Sequence, residues 1–141
     1  MTVTAQITKT LSANDVGETG AHQAGILVPK DLSILSFFPS LNPTEKNPRV
    51  KLVFRERDGI TRWDFNFIYY NNLYFGGTRN EYRLTCMTKY LRARNAGVGD
   101  QVVLSKDGDG RLNVEIIRLS APQYKEDDVL ILSGGWKVIK I

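Results

Sequence analysis

The chain has 141 residues, a length typical of one compact domain, and its 42% hydrophobic content is ordinary for a globular fold. The net charge is +4, and the single histidine and single cysteine exclude an internal disulfide and a clustered zinc site. There is no apolar run near roughly 20 residues and no signal-like start, so we expect a soluble, cytoplasmic single domain over residues 1–141 with no membrane contact.

The first quarter of the chain predicts two strands separated by a long loop. Residues 3–11 alternate apolar and polar side chains and predict a strand. Residues 12–24 are rich in turn formers and have no period, which predicts a loop; loops of this length often carry function. A short apolar strand is expected at residues 25–28.

A short helix is expected next, over residues 31–38. Asp31 is a plausible cap, and Leu32, Leu35 and Phe38 would share one side of the helix.

The middle of the chain predicts a β-hairpin formed by residues 50–55 and 60–70 around an Arg-Asp-Gly turn. Alternation in the second strand divides its side chains between two faces. The face expected to be core carries Thr61, Trp63, Phe65, Phe67 and Tyr69. The opposite face carries Arg62, Asp64 and Asn66.

The second half predicts a loop, a helix and further strands. Residues 71–80 form a loop containing two consecutive glycines, and a short strand is expected at residues 81–84. Thr85 would cap a helix over residues 87–94, with Tyr90 and Leu91 inward. The remaining expected strands lie at residues 101–105, 111–119, 129–132 and 136–141. Seven or eight strands with two short helices favour a barrel or half-open barrel.

Positive charge is concentrated in the middle of the sequence. Residues 49–94 contain ten basic and four acidic residues, a net charge of +6, whereas the rest of the chain has nine basic and eleven acidic residues. The ten basic residues are Arg49, Lys51, Arg55, Arg57, Arg62, Arg79, Arg83, Lys89, Arg92 and Arg94. The arginine bias fits a surface for a polyanion, although an ordinary solvated face explains the charge equally well.

No catalytic motif is present in the sequence. His22 is the only possible histidine base, and there is no phosphate-binding loop, nucleophile elbow or acid-x-lysine pair of a two-metal nuclease. We therefore expect a non-enzymatic domain without cofactor or metal.

Three alternating charges in the second loop region are the strongest functional feature. In an extended segment, Arg79, Glu81 and Arg83 point the same way. They could form a self-neutralising surface ladder. Alternatively they could read a G/C-rich edge of double-stranded DNA, because arginine binds guanine bidentately and glutamate accepts from the cytosine amino group.

The first loop offers polar side chains able to bind bases or phosphates. They are Asn14, Asp15, Thr19, His22 and Gln23. Taken alone, these residues are better explained as satisfied turn residues.

Four strings in the chain are distinctive: LSANDVGETGAHQAGILVP at residues 11–29, KNP at 46–48, IYYN at 68–71 and FGGTRNEYRLT at 75–85. Together they resemble the N-terminal effector-DNA-binding domain of EcoRII-type (Type IIE) restriction endonucleases. The resemblance covers roughly residues 10–95. It implies a DNA-binding pseudobarrel whose two arms, the N-arm at about 12–24 and the C-arm at about 71–85, grip the major groove at a CCWGG site.

The resemblance also implies roles for individual residues. The base-reading residues would be His22, Arg79, Glu81 and Arg83. Contacts to the DNA backbone or support would come from Asn14, Asp15, Thr19, Gln23, Lys30, Tyr70, Asn71, Thr78, Asn80, Tyr82 and Lys89. The chain departs from the family pattern at Gly77 and Tyr82, where the resemblance implies basic residues, and at Leu27, where it implies an aromatic residue. These departures put the exact DNA target in doubt.

The family's full-length enzymes join this domain to a nuclease domain, so we expect either a fragment of such a bacterial or archaeal chain, in which Mg²⁺ serves only that absent domain, or a stand-alone regulator. The domain itself would bind as a monomer on its site. The open alternatives are a barrel that binds single-stranded nucleic acid through aromatic rings and a protein-interaction module, with a metal-dependent nuclease ranked last. The rings in question are Tyr69, Tyr70, Tyr74 and Phe75.

Overall fold

The computed structural model describes residues 2–17, 25–119, 129–131 and 133–139. The strands in these ranges are β1 (Val3–Thr10), β2 (Ile26–Val28), β3 (Arg49–Arg55), β4 (Arg62–Tyr70), β5 (Glu81–Thr85), β6 (Gln101–Asp107), β7 (Leu112–Ile117), β8 (Val129–Ile131) and β9 (Trp136–Ile139). The helices are α1 (Leu32–Leu35) and α2 (Thr88–Ala93), with 3-10 turns at Asn72–Phe75 and Ser133–Gly135. None of the helices in these ranges is long and apolar enough to cross a membrane.

One curled sheet contains all nine of these strands, in the order β2-β5-β4-β3-β7-β6-β1-β9-β8. Neighbours pair antiparallel except β3 and β7, which pair in parallel through Phe54 and Leu112. The prediction of a mainly-β pseudobarrel with two short helices is confirmed. The strand number exceeds the predicted seven or eight.

The curl brings the two ends of the sheet together. Trp136 on β9 is 2% exposed, and its indole Nε1 donates a hydrogen bond of 2.9 Å to the carbonyl oxygen of Leu27 on β2. β2 is one edge strand and β9 lies beside the other, β8. The barrel is therefore half open, and this indole bond helps to hold its two ends together.

Strand β4 follows the predicted alternation. Phe65 and Phe67 are almost fully buried in the core, whereas Arg62 and Asp64 on the opposite face are exposed. The assignment of Thr61 to the core face is wrong. Thr61 precedes the strand, and its hydroxyl donates to the Asp58 carboxylate in the hairpin turn.

The two helices are shorter than predicted, and their expected details need correction. Asp31 occupies the N-cap of α1, but its side chain makes no capping hydrogen bond. Leu32 is 79% exposed, and Ile34 is the buried residue of this single-turn helix. Four residues make only about one turn, so a face predicted from spacing over eight residues does not apply.

Helix α2 also begins later than the sequence predicted. Thr85 lies in β5, and the residue that caps α2 is Met87, without a side-chain capping bond. The expected inward positions are confirmed, since Tyr90 and Leu91 are both buried in the core.

Candidate nucleic-acid interface

The base of the C-arm is fixed by a buried amide. The Asn71 side chain is inaccessible to solvent, and its Oδ1 accepts a hydrogen bond of 2.7 Å from the backbone N–H of Asn47. Its Nδ2 donates to the carbonyl oxygens of Glu45, at 2.8 Å, and Pro43, at 3.3 Å. A buried amide bonded to three backbone groups positions the segment that follows it, so Asn71 acts as a support for the arm.

The next asparagine organises the tip of the C-arm. Asn72 Oδ1 accepts a hydrogen bond of 2.6 Å from the backbone N–H of Arg79, and its carbonyl oxygen accepts one of 2.7 Å from Gly77. The Leu73 N–H donates to the Arg79 carbonyl at 2.9 Å. A Cβ on Gly77 would lie 2.7 Å from Asn72 Cγ, so a larger residue at this position would require the Asn72 side chain to move.

Arg79, which lies two residues before β5, forms one connected row with Glu81 and Arg83 of that strand. Arg79 approaches Glu81 Oε1 with Nε at 2.9 Å and with an NH2 nitrogen at 2.8 Å. Arg83 approaches the other oxygen, Glu81 Oε2, with Nε at 3.3 Å and with an NH2 nitrogen at 3.2 Å. One carboxylate thus orients two guanidinium groups. We call these three residues the Arg-Glu-Arg row.

The row keeps Glu81 ionised. Partial burial raises the pKa of Glu81, but hydrogen bonds and positive charge from Arg79 and Arg83 outweigh burial and leave that pKa lowered. The side-chain exposure falls from 38% at Arg79 to 27% at Glu81 and 19% at Arg83. Arg79 is therefore the member most accessible to a ligand.

Aromatic rings support the row from both sides of β4 and β5. The Arg79 guanidinium lies 3.8 Å from the centroid of the Tyr70 ring, which favours a cation–π contact. On the inner side, Tyr82 stacks on Tyr69 with centroids 4.3 Å apart. The Tyr69 hydroxyl donates a hydrogen bond of 2.7 Å to Asn80 Oδ1. Tyr70, Tyr82 and Asn80 are thus placed as supports.

The described part of the N-arm is held by a reciprocal turn. The Ser12 N–H donates to Asp15 Oδ2 at 2.9 Å, and the Asp15 N–H donates to Ser12 Oγ at 3.2 Å. The same Asp15 carboxylate pairs with Lys9 Nζ at 3.1 Å, and both side chains are about nine-tenths buried. Asp15 is therefore a structural residue, while Asn14 beside it is exposed.

Three predicted N-arm residues, Thr19, His22 and Gln23, lie outside the described residues. The end of this arm is again described, and it meets the row. Arg83 NH1 donates a hydrogen bond of 3.1 Å to the Gly25 carbonyl oxygen. Gly25 has a φ of +81°, and a Cβ there would lie 2.1 Å from the Leu84 carbonyl oxygen, so only glycine fits this approach.

A cleft of about 730 Å³ lies between the start of the N-arm and strands β2, β5 and β9. Asp15, Leu27, Arg83 and Trp136 are among the residues that line it. Leu27 is 48% exposed and pairs with Arg83 across β2 and β5. Leu27 thus borders the Arg-Glu-Arg row.

Three other predicted residues are exposed but are not drawn into the row. Lys30 follows β2, Thr78 lies in the C-arm, and Lys89 is on α2. Lys89 borders a separate depression of about 560 Å³ together with Arg62. Sequence reasoning missed the supports Asn72, Lys9 and Trp136, because their partners are brought close only by the fold. The described residues contain no group of three side chains suited to a metal ion.

Solved structures with the same fold include plant and restriction-enzyme domains. FUS3 of Arabidopsis, solved in complex with DNA, has a TM-score of 0.61 at 19% identity and covers 80% of this chain and 96% of its own. LEC2 of Arabidopsis thaliana, also a DNA complex, has a TM-score of 0.58 at 19% identity, and the match covers 81% of this chain and 93% of the LEC2 chain. The B3 domain of the UbaLAI restriction endonuclease with cognate DNA has a TM-score of 0.56 at 20% identity, and the match covers 99% of this chain and 88% of the UbaLAI chain. At these identities the likeness is one of fold.

Sequence comparison identifies the family. The Type II restriction enzyme EcoRII of Escherichia coli is 44% identical over 79 residues, which are 55% of this chain and 19% of that protein. The chain thus matches only a small part of the relative's length. The family described as "Restriction endonuclease EcoRII, N-terminal" matches residues 2–129. The resemblance noted in the sequence is confirmed: the chain belongs to the family of EcoRII N-terminal domains.

Proposed function

We propose that this domain binds double-stranded DNA in a sequence-specific manner, with the C-arm reading bases of a CCWGG-like site in the major groove. The observation that carries the proposal is the Arg-Glu-Arg row, in which one carboxylate orients two guanidinium groups. Family membership and the DNA complexes formed by proteins of the same fold support it.

The chemistry of the row suits a G/C-rich edge. Arg79 bonds Glu81 with Nε and one terminal nitrogen, so its other terminal nitrogen is available to guanine. Arg83 is more buried and also donates to the Gly25 carbonyl, so its share in base reading is smaller than that of Arg79. Glu81 remains an acceptor for a cytosine amino group because it is ionised.

The N-arm would grip the same site from the other side of the cleft. His22, matched through the family, would contact a base, and the remaining predicted residues would contact phosphates or hold the arms. Asp15 supports this division of roles, since its carboxylate is already committed to Ser12 and Lys9.

In the parent chain this domain would serve as the effector or target-recognition part of a restriction endonuclease. Cleavage and its Mg²⁺ requirement would belong to a separate nuclease domain, and the recognition domain itself would be non-catalytic and bind as a monomer. A parent of this kind would act on DNA inside a bacterial or archaeal cell.

A band-shift measurement tests this function. The domain is titrated with a CCWGG duplex and with a duplex altered at one outer C·G pair, alongside Arg79→Ala and Glu81→Ala. One good base contact is worth roughly 1–3 kcal/mol of discrimination, so the altered duplex should bind at least several-fold more weakly, and both variants should lose that preference.

Arg92→Ala is the matched control. Arg92 is exposed on α2, so removing it takes away one positive charge outside the Arg-Glu-Arg row. This variant should keep the preference for CCWGG. Equal binding of both duplexes by the unaltered domain would refute sequence-specific recognition.

A second candidate, single-strand binding, has one observation in its favour. Tyr74 is 67% exposed and Phe75 is 43% exposed at the tip of the C-arm, where bases could stack on them. Two other rings already have partners, because Tyr69 stacks on Tyr82 and Tyr70 lies beneath Arg79. Competition between single-stranded and duplex CCWGG distinguishes the two functions, and we expect the duplex to compete far better.

A further inference from the structure

A stripe of basic side chains runs along the outer face of the β3–β4 hairpin. Strand alternation places Arg49, Lys51 and Arg55 of β3 on this face, because Val50, Leu52 and Phe54 between them pack against the core. Arg62 of β4 lies on the same face, directly opposite Arg55. We call Arg49, Lys51, Arg55 and Arg62 the basic stripe.

The strand register connects this stripe to the Arg-Glu-Arg row. Arg49 pairs with Ile68 on β4, and Ile68 pairs with Arg83 on β5, so these three residues lie in one line across the sheet. Two strand spacings separate Arg49 from Arg83, which is about 10 Å. From that line the stripe extends six residues along β3 to Arg55, or about 20 Å at the strand rise of ~3.3 Å per residue.

Most of the charge on the stripe is not neutralised. Lys51 faces Asp64 at 3.9 Å, but no ion pair in the described part of the chain involves Arg49, Arg55 or Arg62. Arg55 and Arg62 are like charges in directly opposed positions, an arrangement that destabilises a sheet. Their repulsion would be relieved by an anionic ligand on this face.

Two nearby arginines outside the stripe, unlike those within it, face acidic side chains. Arg94 pairs with Glu56, and Arg57 lies 3.6 Å from Glu115. Beyond Arg62, the surface continues past Asp64 to Lys89, which borders the same depression. The arginines of the stripe that lack an ion pair within the described residues therefore lie on the outer face of β3 and β4, which starts beside the row.

We propose that the basic stripe binds the phosphate backbone of duplex DNA outside the recognised base pairs. This inference rests on the proposed function, because the row must first hold the duplex beside the stripe. A stripe of about 20 Å matches roughly six phosphates of one strand at ~3.4 Å per base pair along the axis. The stripe would add affinity without adding sequence preference, since phosphate contacts carry no base information.

The test compares two duplexes that contain the same CCWGG site. One ends about two base pairs beyond the site on each side, and the other extends about ten base pairs further on each side, more than the stripe can cover. Affinity is measured by fluorescence anisotropy over a series of salt concentrations. The domain should bind the long duplex more tightly and with a steeper salt dependence than the short one.

The variants are Arg55→Ala combined with Arg62→Ala, with Arg92→Ala as a control that removes one charge outside the stripe. For each phosphate that is no longer bound, the slope of log affinity against log salt should fall by about 0.9. The slope of the double variant should therefore fall by up to about two on the long duplex and should not change on the short one. Arg55→Lys combined with Arg62→Lys keeps the charge and should retain most of the slope. Arg92→Ala should retain the difference between the two duplexes.

The two proposals fail in different ways. If the long duplex gains nothing, or if the double variant keeps the full gain, the stripe does not bind flanking DNA even when CCWGG discrimination is intact. If the altered-site duplex binds as well as CCWGG, the proposed function itself is wrong. Both surface variants must also unfold at a urea concentration no lower than that of the parent domain, which shows that a reduced slope is not caused by unfolding.

Discussion

Asn71→Ala should destabilise the domain, because Asn71 supports the C-arm from within. The substitution removes three hydrogen bonds from a side chain with no solvent exposure. The Asn47 N–H loses its acceptor, at a cost of about 1–3 kcal/mol for an unsatisfied buried donor. The carbonyls of Pro43 and Glu45 lie in an exposed segment, where water replaces the missing donor at little cost. We therefore expect a decrease of about 2 kcal/mol in the free energy of unfolding.

Urea unfolding followed by tryptophan fluorescence measures this decrease. Asn42→Ala is the matched control, since Asn42 is exposed and the described hydrogen bonds of its side chain are to Thr44 within its own turn. The control should change stability by less than about 0.5 kcal/mol, as most surface substitutions do. If Asn71→Ala is as stable as the control but binds DNA poorly, Asn71 contacts DNA directly and our assignment of a supporting role is wrong.

Two further predictions concern the C-arm. Gly77→Ala should lower DNA affinity and thermal stability, because its Cβ would collide with the side chain beneath it, whereas Gly108→Ala, where nothing lies within 4 Å, should leave both unchanged; a harmless Gly77→Ala would contradict the loop geometry. The lowered pKa of Glu81 means that its ion pairs add stability fully above its ordinary pKa of 4.5 and lose it as pH falls through the lower, folded value. The difference in unfolding free energy between the parent domain and Glu81→Gln should therefore shrink between neutral pH and acid, and a difference independent of pH would show that the row adds no such stability.

The sequence predicted the parts of this domain that depend on strand alternation. Phe65 and Phe67 are buried where a two-residue period places them, and Arg79, Glu81 and Arg83 come together because alternating residues share a face. Local periodicity is sufficient in both cases, since each set lies within one extended segment.

Features that join distant parts of the chain could not be predicted in the same way. The bond from Trp136 to the Leu27 carbonyl links residues separated by 109 positions, and it exists only because the sheet curls. The buried side of the single-turn helix α1 also escaped prediction, since Ile34 rather than Leu32 faces the core. A helix of four residues is too short for a spacing pattern to identify its buried side.

Strand β5 shows how the fold can combine rigidity with recognition. Its outward residues Glu81 and Arg83 belong to the charged row, while the inward residue Tyr82 stacks between Tyr69 and Phe67, with ring centroids 4.3 and 5.6 Å apart. Aromatic stacking thus fixes the strand from the side opposite the charges. A residue with a flexible basic side chain in place of Tyr82 would add charge beside the row but remove this stack. Tyr82 therefore gives the row a rigid support in place of an added positive charge, an arrangement that fits the proposed division between base contacts at the row and phosphate contacts at the basic stripe.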